Sequence, residues 1–248
     1  MRNLKNTNNE MKNVILTGAA GQIGNIFLDH LSKNKLFKVH ALDLNLSNSN
    51  SYSNVKYEEI DITNEKKVIS FYESLDSVDI LINNAGIGVF TPFEERTIED
   101  FSRVVDVNMK GTFLMCREAI KLMKILKRGK IINIGSIYGV LSSDPSIYGD
   151  SGRNNSEVYS MTKAAVLMLT KYLAAHYATY NIQVNAISPG GVLRNQSSEF
   201  IDNYINKTPA ARMACEEDLL PALDFFINND NNYTTGQNIL IDGGFSSW

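Results

Sequence analysis

The chain has 248 residues, of which 44% are hydrophobic and 21% are charged, a balance typical of a soluble globular protein. This length suits one large α/β domain, or at most two small domains. A net charge of −3 gives no reason to expect a nucleic-acid or anionic-membrane partner. No apolar run approaches the roughly 20 residues that a membrane-spanning helix needs. Residues 1–11 are polar and contain no secretory signal, so we expect a disordered tail, a domain at 12–248 and a cytoplasmic location.

A glycine-rich turn follows the first apolar run, at residues 13–17, and precedes a helical pattern. Its glycines, Gly18, Gly21 and Gly24, permit a tight turn and let the backbone approach a pyrophosphate closely. The N-terminus of the following helix adds N–H donors and a partial positive charge. Glycine also serves ordinary tight turns, but the order of strand, turn and helix predicts a phosphate-binding site.

The second predicted strand, at residues 38–43, ends in Asp43, about 20 residues beyond the glycine turn. A carboxylate at this position accepts hydrogen bonds from the adenosine ribose hydroxyls and repels a 2′-phosphate. No Arg or Lys follows closely, since the next residues are Leu44, Asn45 and Leu46. The sequence therefore favours NAD and does not exclude NADP. The alternative is that Asp43 merely caps the strand.

Strand and helix patterns alternate through the remaining chain, which predicts a Rossmann-type, doubly wound parallel sheet of about seven strands with helices on both faces. Further strands are predicted at 55–62, 79–86, 130–136, 182–191 and 238–244, and helices at 64–75, 98–126, 157–180 and 216–227, with a loop and short helix at 192–211.

We expect the two cysteines, Cys116 and Cys215, to be helical and to carry reduced, buried thiols rather than to form a disulfide. The three histidines show neither metal-ligand spacing nor acidic partners in register, so we expect no metal site.

Tyr159 and Lys163 lie four residues apart and hence on one face of the predicted helix 157–180. A free phenol has a pKa of about 10, and a nearby ammonium lowers that pKa by favouring the phenolate. The pair is suited to moving a proton to or from an alcohol or ketone oxygen. The same spacing arises by chance on many helices, so the pair needs support from elsewhere in the chain.

Other polar residues supply that support. Ser136 ends a buried strand, and ligands of parallel sheets bind at the carboxyl ends of the strands. The small residues at 84–86, which end the preceding strand, leave room for a flat ligand. Asn108 falls in the middle of a long predicted helix, where asparagine is slightly unfavourable. It is either an exposed residue with no specific role or a residue with a structural or functional role inside the helix.

In this order the motifs resemble those of the short-chain dehydrogenase/reductase family, over residues 13–245. They are Thr17-Gly-x-x-Gly-x-x-Gly24, Asn83-Asn-Ala-Gly86, Asn108, Ser136, Tyr159-x-x-x-Lys163 and Ser188-Pro-Gly190. The resemblance implies a hydride transfer with Tyr159 as the acid/base and Ser136 as the partner of the substrate oxygen. It also implies that Lys163 lowers the pKa of Tyr159 and holds the nicotinamide ribose, and that Asn108 binds a water of the proton relay.

The same resemblance implies a homodimer or homotetramer, a small-molecule substrate and a set of residues that line the cofactor. These are Gly18, Gln22, Ile23, Asp43, Asp61, Ile62, Asn84, Ala85, Gly86, Tyr159, Lys163, Pro189 and Val192.

Three features depart from the family pattern. Gln22 stands where the single-domain branch usually has its middle glycine, a spacing similar to that of the longer, epimerase-like branch. A Thr commonly follows the Pro-Gly motif and contacts the nicotinamide amide, but here that stretch holds Leu193, Arg194 and Asn195. Arg194 could instead meet an anionic substrate group or be a solvated loop residue. The gap between Ser136 and Tyr159 is unusually long; Ser146 would restore its length, but Ser136 is favoured because it ends the buried strand.

The resulting insert, residues 137–158, is rich in hydrogen-bonding side chains that suit a polyol or sugar better than a fatty chain. Substrate candidates are Tyr138, Tyr148 and Arg194; the alternative is a surface elaboration or subunit contact. The insert is similar to those of oxidoreductases in bacterial surface-sugar and flagellin-modification pathways.

The sequence thus predicts an NAD(P)-dependent oxidoreductase acting on a polar secondary alcohol or ketone. Two alternatives stay open: a sugar-nucleotide epimerase or dehydratase that retains NAD, and a non-catalytic dinucleotide-binding regulatory protein.

Overall fold

The computed structural model describes residues 10–46 and 51–248. Nearly all of the predicted tail at 1–11, and residues 47–50 between the second and third predicted strands, lie outside the described residues. The strands are Lys12–Thr17 (β1), Phe37–Asp43 (β2), Val55–Glu59 (β3), Ile80–Asn83 (β4), Gly129–Ile134 (β5), Ile182–Pro189 (β6) and Asn238–Ile241 (β7). They form one parallel sheet in the order β3-β2-β1-β4-β5-β6-β7, which confirms the predicted doubly wound fold.

The helices are Gln22–Ser32 (α1), Glu65–Glu73 (α2), Ile98–Val105 (α3), Thr112–Leu126 (α4), Glu157–Tyr177 (α5), Ser198–Lys207 (α6) and Leu220–Ile227 (α7). On one face of the sheet, α1 and α7 bury residues such as Phe27 and Phe226. On the other face, α2, α4 and α5 bury residues such as Phe71, Met115 and Leu173. Each large apolar side chain buried in this way contributes roughly 1.5–3 kcal/mol. Because the strand order reverses between β1 and β4, a crevice opens there at their carboxyl ends.

The helix predicted at 98–126 is interrupted. A π-helical turn, Asp106–Gly111, joins α3 to α4. Asn108, inside this turn, is buried with 1% of its surface exposed. Gly111 ends the turn against Ile62, and a Cβ at Gly111 would lie 2.6 Å from Ile62 Cδ1. The local widening therefore turns Asn108 inward and brings the helix close to the segment after β3.

The insert is packed against α6. It contains two short 3₁₀ turns, Ile137–Gly139 and Pro145–Tyr148. The ring of Tyr148 lies 5.3 Å from that of Phe200 on α6, and Asp144 forms an ion pair with Lys207 at the end of that helix. A small hydrophobic core beneath contains Ile147, Tyr148, Tyr204, Met213 and Phe245.

Two predictions about single residues need correction. Cys116 is buried as predicted, and burial raises its pKa to about 12, but Cys215 is exposed because it precedes the 3₁₀ turn Glu216–Leu219 instead of lying inside a helix. His30 and His40 do have acidic partners, Asp224 at 2.7 Å and Glu58 at 2.9 Å, which the fold brings from other elements.

Within residues 10–46 and 51–248, no group of three His, Cys, Asp or Glu side chains is placed to hold a metal ion. In the same part of the chain, no helix has the length and apolar character needed to span a membrane.

Candidate active site

A cleft of about 1000 Å³ opens at the carboxyl ends of the strands. Every site residue predicted from the sequence lines it except Asn108, which lies behind its wall. The predicted residues in the lining are Gly18, Gln22, Ile23, Asp43, Asp61, Ile62, Asn84, Ala85, Gly86, Ser136, Tyr138, Tyr148, Tyr159, Lys163, Pro189, Val192 and Arg194.

The glycine turn at one end of the cleft is held by hydrogen bonds from the residue that follows β4. Asn84 Nδ2 donates to the carbonyl oxygens of Thr17 and Gly18 at 3.1 and 2.9 Å. Gly18 has φ +65°, and a Cβ there would lie 2.7 Å from Ala85 Cα. A Cβ at Gly24 would lie 1.9 Å from the Gly18 carbonyl oxygen. Only glycine fits these positions, and the floor of the cleft is therefore bare backbone.

Asp43 lies at the end of β2, with both carboxylate oxygens held by backbone N–H groups. Its Oδ2 accepts from Ala20 N at 2.9 Å, and its Oδ1 accepts from Leu44 N at 2.7 Å. Each carboxylate oxygen has two lone pairs, so both can accept a further hydrogen bond from a ligand. The carboxylate is thus fixed beside the glycine turn, as a ribose-binding residue requires.

Ser136, Tyr159 and Lys163 meet at the other end of the cleft. Ser156 caps α5 by accepting a hydrogen bond from Tyr159 N at 3.3 Å, which fixes the first turn of the helix. A hydrogen bond links the Ser136 and Tyr159 side chains. Lys163 has 5% of its surface exposed, and its Nζ lies 5.6 Å from the centre of the Tyr159 ring.

Burial outweighs the lowering of the Tyr159 pKa that the sequence predicted from the neighbouring Lys163 ammonium. Burial raises the pKa of Tyr159, and the hydrogen bond to Ser136 offsets only part of that rise. Burial also lowers the pKa of Lys163 to about 8. Lys163 Nζ donates to the Ile134 carbonyl oxygen at 2.7 Å. The ammonium is therefore held by the end of β5, and the expected lowering of the Tyr159 pKa is not the dominant effect in the protein alone.

Asn108 joins the segment after β4 to α5. Its Oδ1 accepts from Ile87 N at 2.9 Å, and its Nδ2 donates to Ile87 O at 2.9 Å and to Thr162 Oγ1 at 3.0 Å. A Cβ at Gly86 would lie 3.4 Å from both Asn108 Oδ1 and Lys163 Nζ. The mid-helix asparagine thus supports the wall of the cleft next to Lys163. Its predicted role in a water relay stays a prediction.

Tyr138 and Tyr148, which the sequence predicts to contact substrate, line the cleft together with Asn155 from the insert. The Tyr148 hydroxyl accepts hydrogen bonds from the Tyr138 hydroxyl and from the backbone N–H of Asn155. Burial is the main cause that raises the pKa of both phenols, so both are protonated at neutral pH.

The family model described as enoyl-(acyl carrier protein) reductase matches residues 41–246. A solved structure, a short-chain dehydrogenase from Leptospira borgpetersenii serovar Hardjo-bovis (strain JB197) with bound NAD+, is 46% identical. It superimposes with a TM-score of 0.90 over 99% of this chain and 98% of its own.

The chain belongs to the short-chain dehydrogenase/reductase family.

Two relatives of this chain are named for different activities. The 2-dehydro-3-deoxy-D-gluconate 5-dehydrogenase of Formosa agariphila (strain DSM 15362) is 37% identical over 67% of this chain and 62% of its own length. The 3-oxoacyl-(acyl-carrier-protein) reductase FabG of Rickettsia bellii (strain RML369-C) is 32% identical over 93% of this chain and 95% of its own. Other related structures contain NADPH or NADP. The chain is thus an oxidoreductase of this family that uses a nicotinamide cofactor.

The structure shows where the three features that depart from the family pattern lie relative to the cleft. Ser146 is exposed and lies outside the cleft lining, whereas Ser136 lies inside it, as predicted. Gln22 begins α1 and contacts Leu193 and Glu216. Arg194 is exposed at the mouth of the cleft.

Sequence reasoning missed several residues of the short-chain dehydrogenase/reductase cleft that come from the region of α6. Tyr204 is buried, and its hydroxyl accepts from Gly191 N at 2.5 Å, which ties α6 to the end of β6. The spacing of Phe200 and Tyr204, four residues apart, was the available signal, because it places two aromatic rings on one face of a helix. The missed lining residues are Gln196, Phe200, Tyr204 and Met213.

Proposed function

We propose that this protein transfers a hydride between NAD and a polar secondary alcohol or ketone, with Tyr159 as the acid/base. The observation that carries the proposal is the arrangement of one cleft. The glycine turn and Asp43 lie at one end, and Ser136, Tyr159 and Lys163 lie at the other.

The residues of the cleft fit a nicotinamide dinucleotide. The backbone floor at Gly18 and the N-terminus of α1 suit a diphosphate, and the Asp43 carboxylate suits the adenosine ribose. Lys163 and Tyr159 would hold the nicotinamide ribose. When bound, the dinucleotide supplies or accepts the hydride at its nicotinamide ring.

The side chains of the protein would bind the substrate oxygen and transfer its proton. The Ser136 hydroxyl donates a hydrogen bond to that oxygen. Tyr159 gives its proton to the oxygen when a ketone is reduced, and it takes the proton when an alcohol is oxidised. The nearby Lys163 ammonium stabilises the phenolate that remains. A positioned acid/base of this kind typically contributes roughly 10²–10⁴-fold in rate.

The substrate side favours a polar molecule. Tyr138, Tyr148, Asn155 and Gln196 present hydroxyl and amide groups to the cleft. These groups have partners within the protein but keep further hydrogen-bonding capacity that a polar substrate can use, such as the second N–H of the Gln196 amide and the side-chain oxygen of Asn155. The relative named for a gluconate derivative therefore supports our proposal of a sugar or polyol derivative more than the relative named for an acyl-carrier-protein substrate.

NAD is favoured by the surroundings of Asp43. The residues that follow it in the cleft lining are Leu44 and Asn45, and neither carries a positive charge for a 2′-phosphate. The bound NAD+ in the 46% identical relative supports the same choice.

The first test is to titrate the protein with NADH and NADPH by fluorescence and to assay a panel of sugar acids and polyols. We expect tighter binding of NADH, and an Asp43→Asn variant that discriminates less between the two. Tyr159→Phe should bind NADH like the wild type and lose about 10²–10⁴-fold in turnover.

Full activity of Tyr159→Phe would contradict the assignment of the acid/base. No turnover on any substrate despite NADH binding would favour the non-catalytic alternative. Stoichiometric production of free NADH would exclude the epimerase or dehydratase alternative, which retains its NAD.

A further inference from the structure

Gln22 connects the glycine turn to the loop after β6. Its Nε2 donates to the Leu193 carbonyl oxygen at 2.8 Å and to Glu216 Oε1 at 2.6 Å. Both partners are acceptors, so the nitrogen of the amide must face them. A glycine at this position could make neither contact. The residue that departs from the family motif therefore has a specific structural partner.

The loop that Gln22 contacts, residues 192–196, is fixed on both sides of Arg194. Leu193 N donates to Ala214 O at 2.8 Å, and the Leu193 carbonyl oxygen accepts from Gln22. The Gln196 side chain accepts from Arg194 N at 2.6 Å and donates to Val192 O at 2.8 Å. The backbone of Arg194 is thus held beside the first residue of α1.

The guanidinium of Arg194 has no acidic partner within the described part of the chain, since none of the ion pairs there includes it. Its side chain lines the mouth of the cleft. Glu216 is the nearby negative charge, and its Oε1 is bonded to the Gln22 amide. An anion bound at the N-terminus of α1 would be repelled by Glu216 and attracted by Arg194.

We propose that Gln22 is a positioning residue that fixes the 192–196 loop so that Arg194 binds the diphosphate of the dinucleotide. The inference rests on the proposed function, since it needs a dinucleotide in the cleft. It moves Arg194 from the substrate, where the sequence placed it, to the cofactor. The reason is that the contact between Gln22 and Leu193 brings Arg194 to the phosphate-binding end of α1.

The test compares Gln22→Ala, Arg194→Met and the double variant in titrations with NADH, ADP-ribose and AMP. ADP-ribose carries the diphosphate without the nicotinamide, and AMP carries one phosphate only. We expect Arg194→Met to weaken NADH and ADP-ribose about tenfold, as loss of one charge-assisted contact does, and to affect AMP much less. Gln22→Ala should weaken the same two ligands severalfold.

The double variant distinguishes positioning from independent binding. If Gln22 acts through Arg194, the double variant binds NADH about as weakly as Arg194→Met, because the two effects are not additive. The matched control is Arg103→Met, which removes an exposed arginine on α3 outside the cleft lining and should bind NADH like the wild type.

Three results would overturn the inference: unchanged NADH and ADP-ribose binding by Arg194→Met, a rise only in the KM of an anionic substrate, or additive effects of the two substitutions. In each case the wild type still binds NADH, and the proposed function stands. A wild type that binds neither NADH nor NADPH would overturn the proposed function itself, and the inference with it.

Discussion

Lys163 shows how a single buried cation is held at the site. It has 5% of its surface exposed, and its Nζ donates to the Ile134 carbonyl oxygen. Burial removes the ammonium from water, and this cost lowers its pKa to about 8. The protein without cofactor therefore keeps a charge that its surroundings disfavour, next to a phenol whose pKa burial raises.

This residue should leave a signature in the pH dependence of stability. Between pH 8 and pH 10.5, the ordinary pKa of a lysine side chain, the unfolded chain binds a proton at Lys163 that the folded protein has lost. The free energy of unfolding therefore gains up to about 1.4 kcal/mol per pH unit from this group as the pH rises through that window. Lys163→Met should lack this contribution. Urea unfolding of the cofactor-free protein from pH 7 to pH 10.5 measures the difference.

The comparison isolates Lys163 because Lys130, whose pKa burial also lowers to about 8, is present in both proteins. Lys171→Met, an exposed lysine on α5, should keep the wild-type profile. Parallel profiles for the wild type and Lys163→Met would contradict the assignment.

The π-helical turn is the element on which the wall of the cleft depends. Asn108 in this turn satisfies both the N–H and the C=O of Ile87, as well as the Thr162 hydroxyl. In Asn108→Ala the N–H and C=O of Ile87 lose their partner, whereas the Thr162 hydroxyl still donates to Tyr159 O. Each unsatisfied buried group costs roughly 1–3 kcal/mol. We expect a loss of about 2–4 kcal/mol in the free energy of unfolding, measured by urea denaturation.

Lys110→Ala, in the same turn, is the matched control because its ion pair with Asp106 is exposed. We expect it to stay within about 0.5 kcal/mol of the wild type. Equal losses for the two variants would show that Asn108 does not hold the turn.

The sequence predicted the elements better than the contacts between them. Most of the cleft residues came from the resemblance to the family, whereas the strands followed from local rules, because periodicity depends on neighbouring residues. The π-helical turn did not, since only Ile87 and Thr162 explain why Asn108 turns inward. The packing of the insert on α6 was also missed, because Tyr148 and Phe200 are far apart in the sequence and no local pattern connects them.

At the scale of the whole molecule, exposed apolar side chains gather on two helices of the same face. Met161, Met168 and Tyr172 on α5 are 56%, 63% and 54% exposed, and Phe113 on α4 is 47% exposed. We propose that this face forms the subunit contact of a homodimer or homotetramer, as the family resemblance implies. Such apolar faces are uncommon on monomers.

Light scattering with size-exclusion chromatography measures the state of assembly. We expect a dimer or tetramer for the wild type and dissociation for the Met168→Glu, Tyr172→Glu double variant, because the new charges would be buried without partners. Tyr233→Glu is the control, because Tyr233 is fully exposed outside these helices. A monomeric wild type would contradict the proposal.

The insert and α6 share one aromatic stack, and this matters for redesign of the enzyme. The ring of Tyr148 packs on Phe200, Phe200 stacks on Tyr204, and Tyr204 stacks on Phe245. The insert and α6, which are distant in the sequence, therefore pack as one structural unit beside the cleft. Grafting the insert alone into a relative would leave the Tyr148 ring without its packing partner Phe200. The graft has to carry α6 as well.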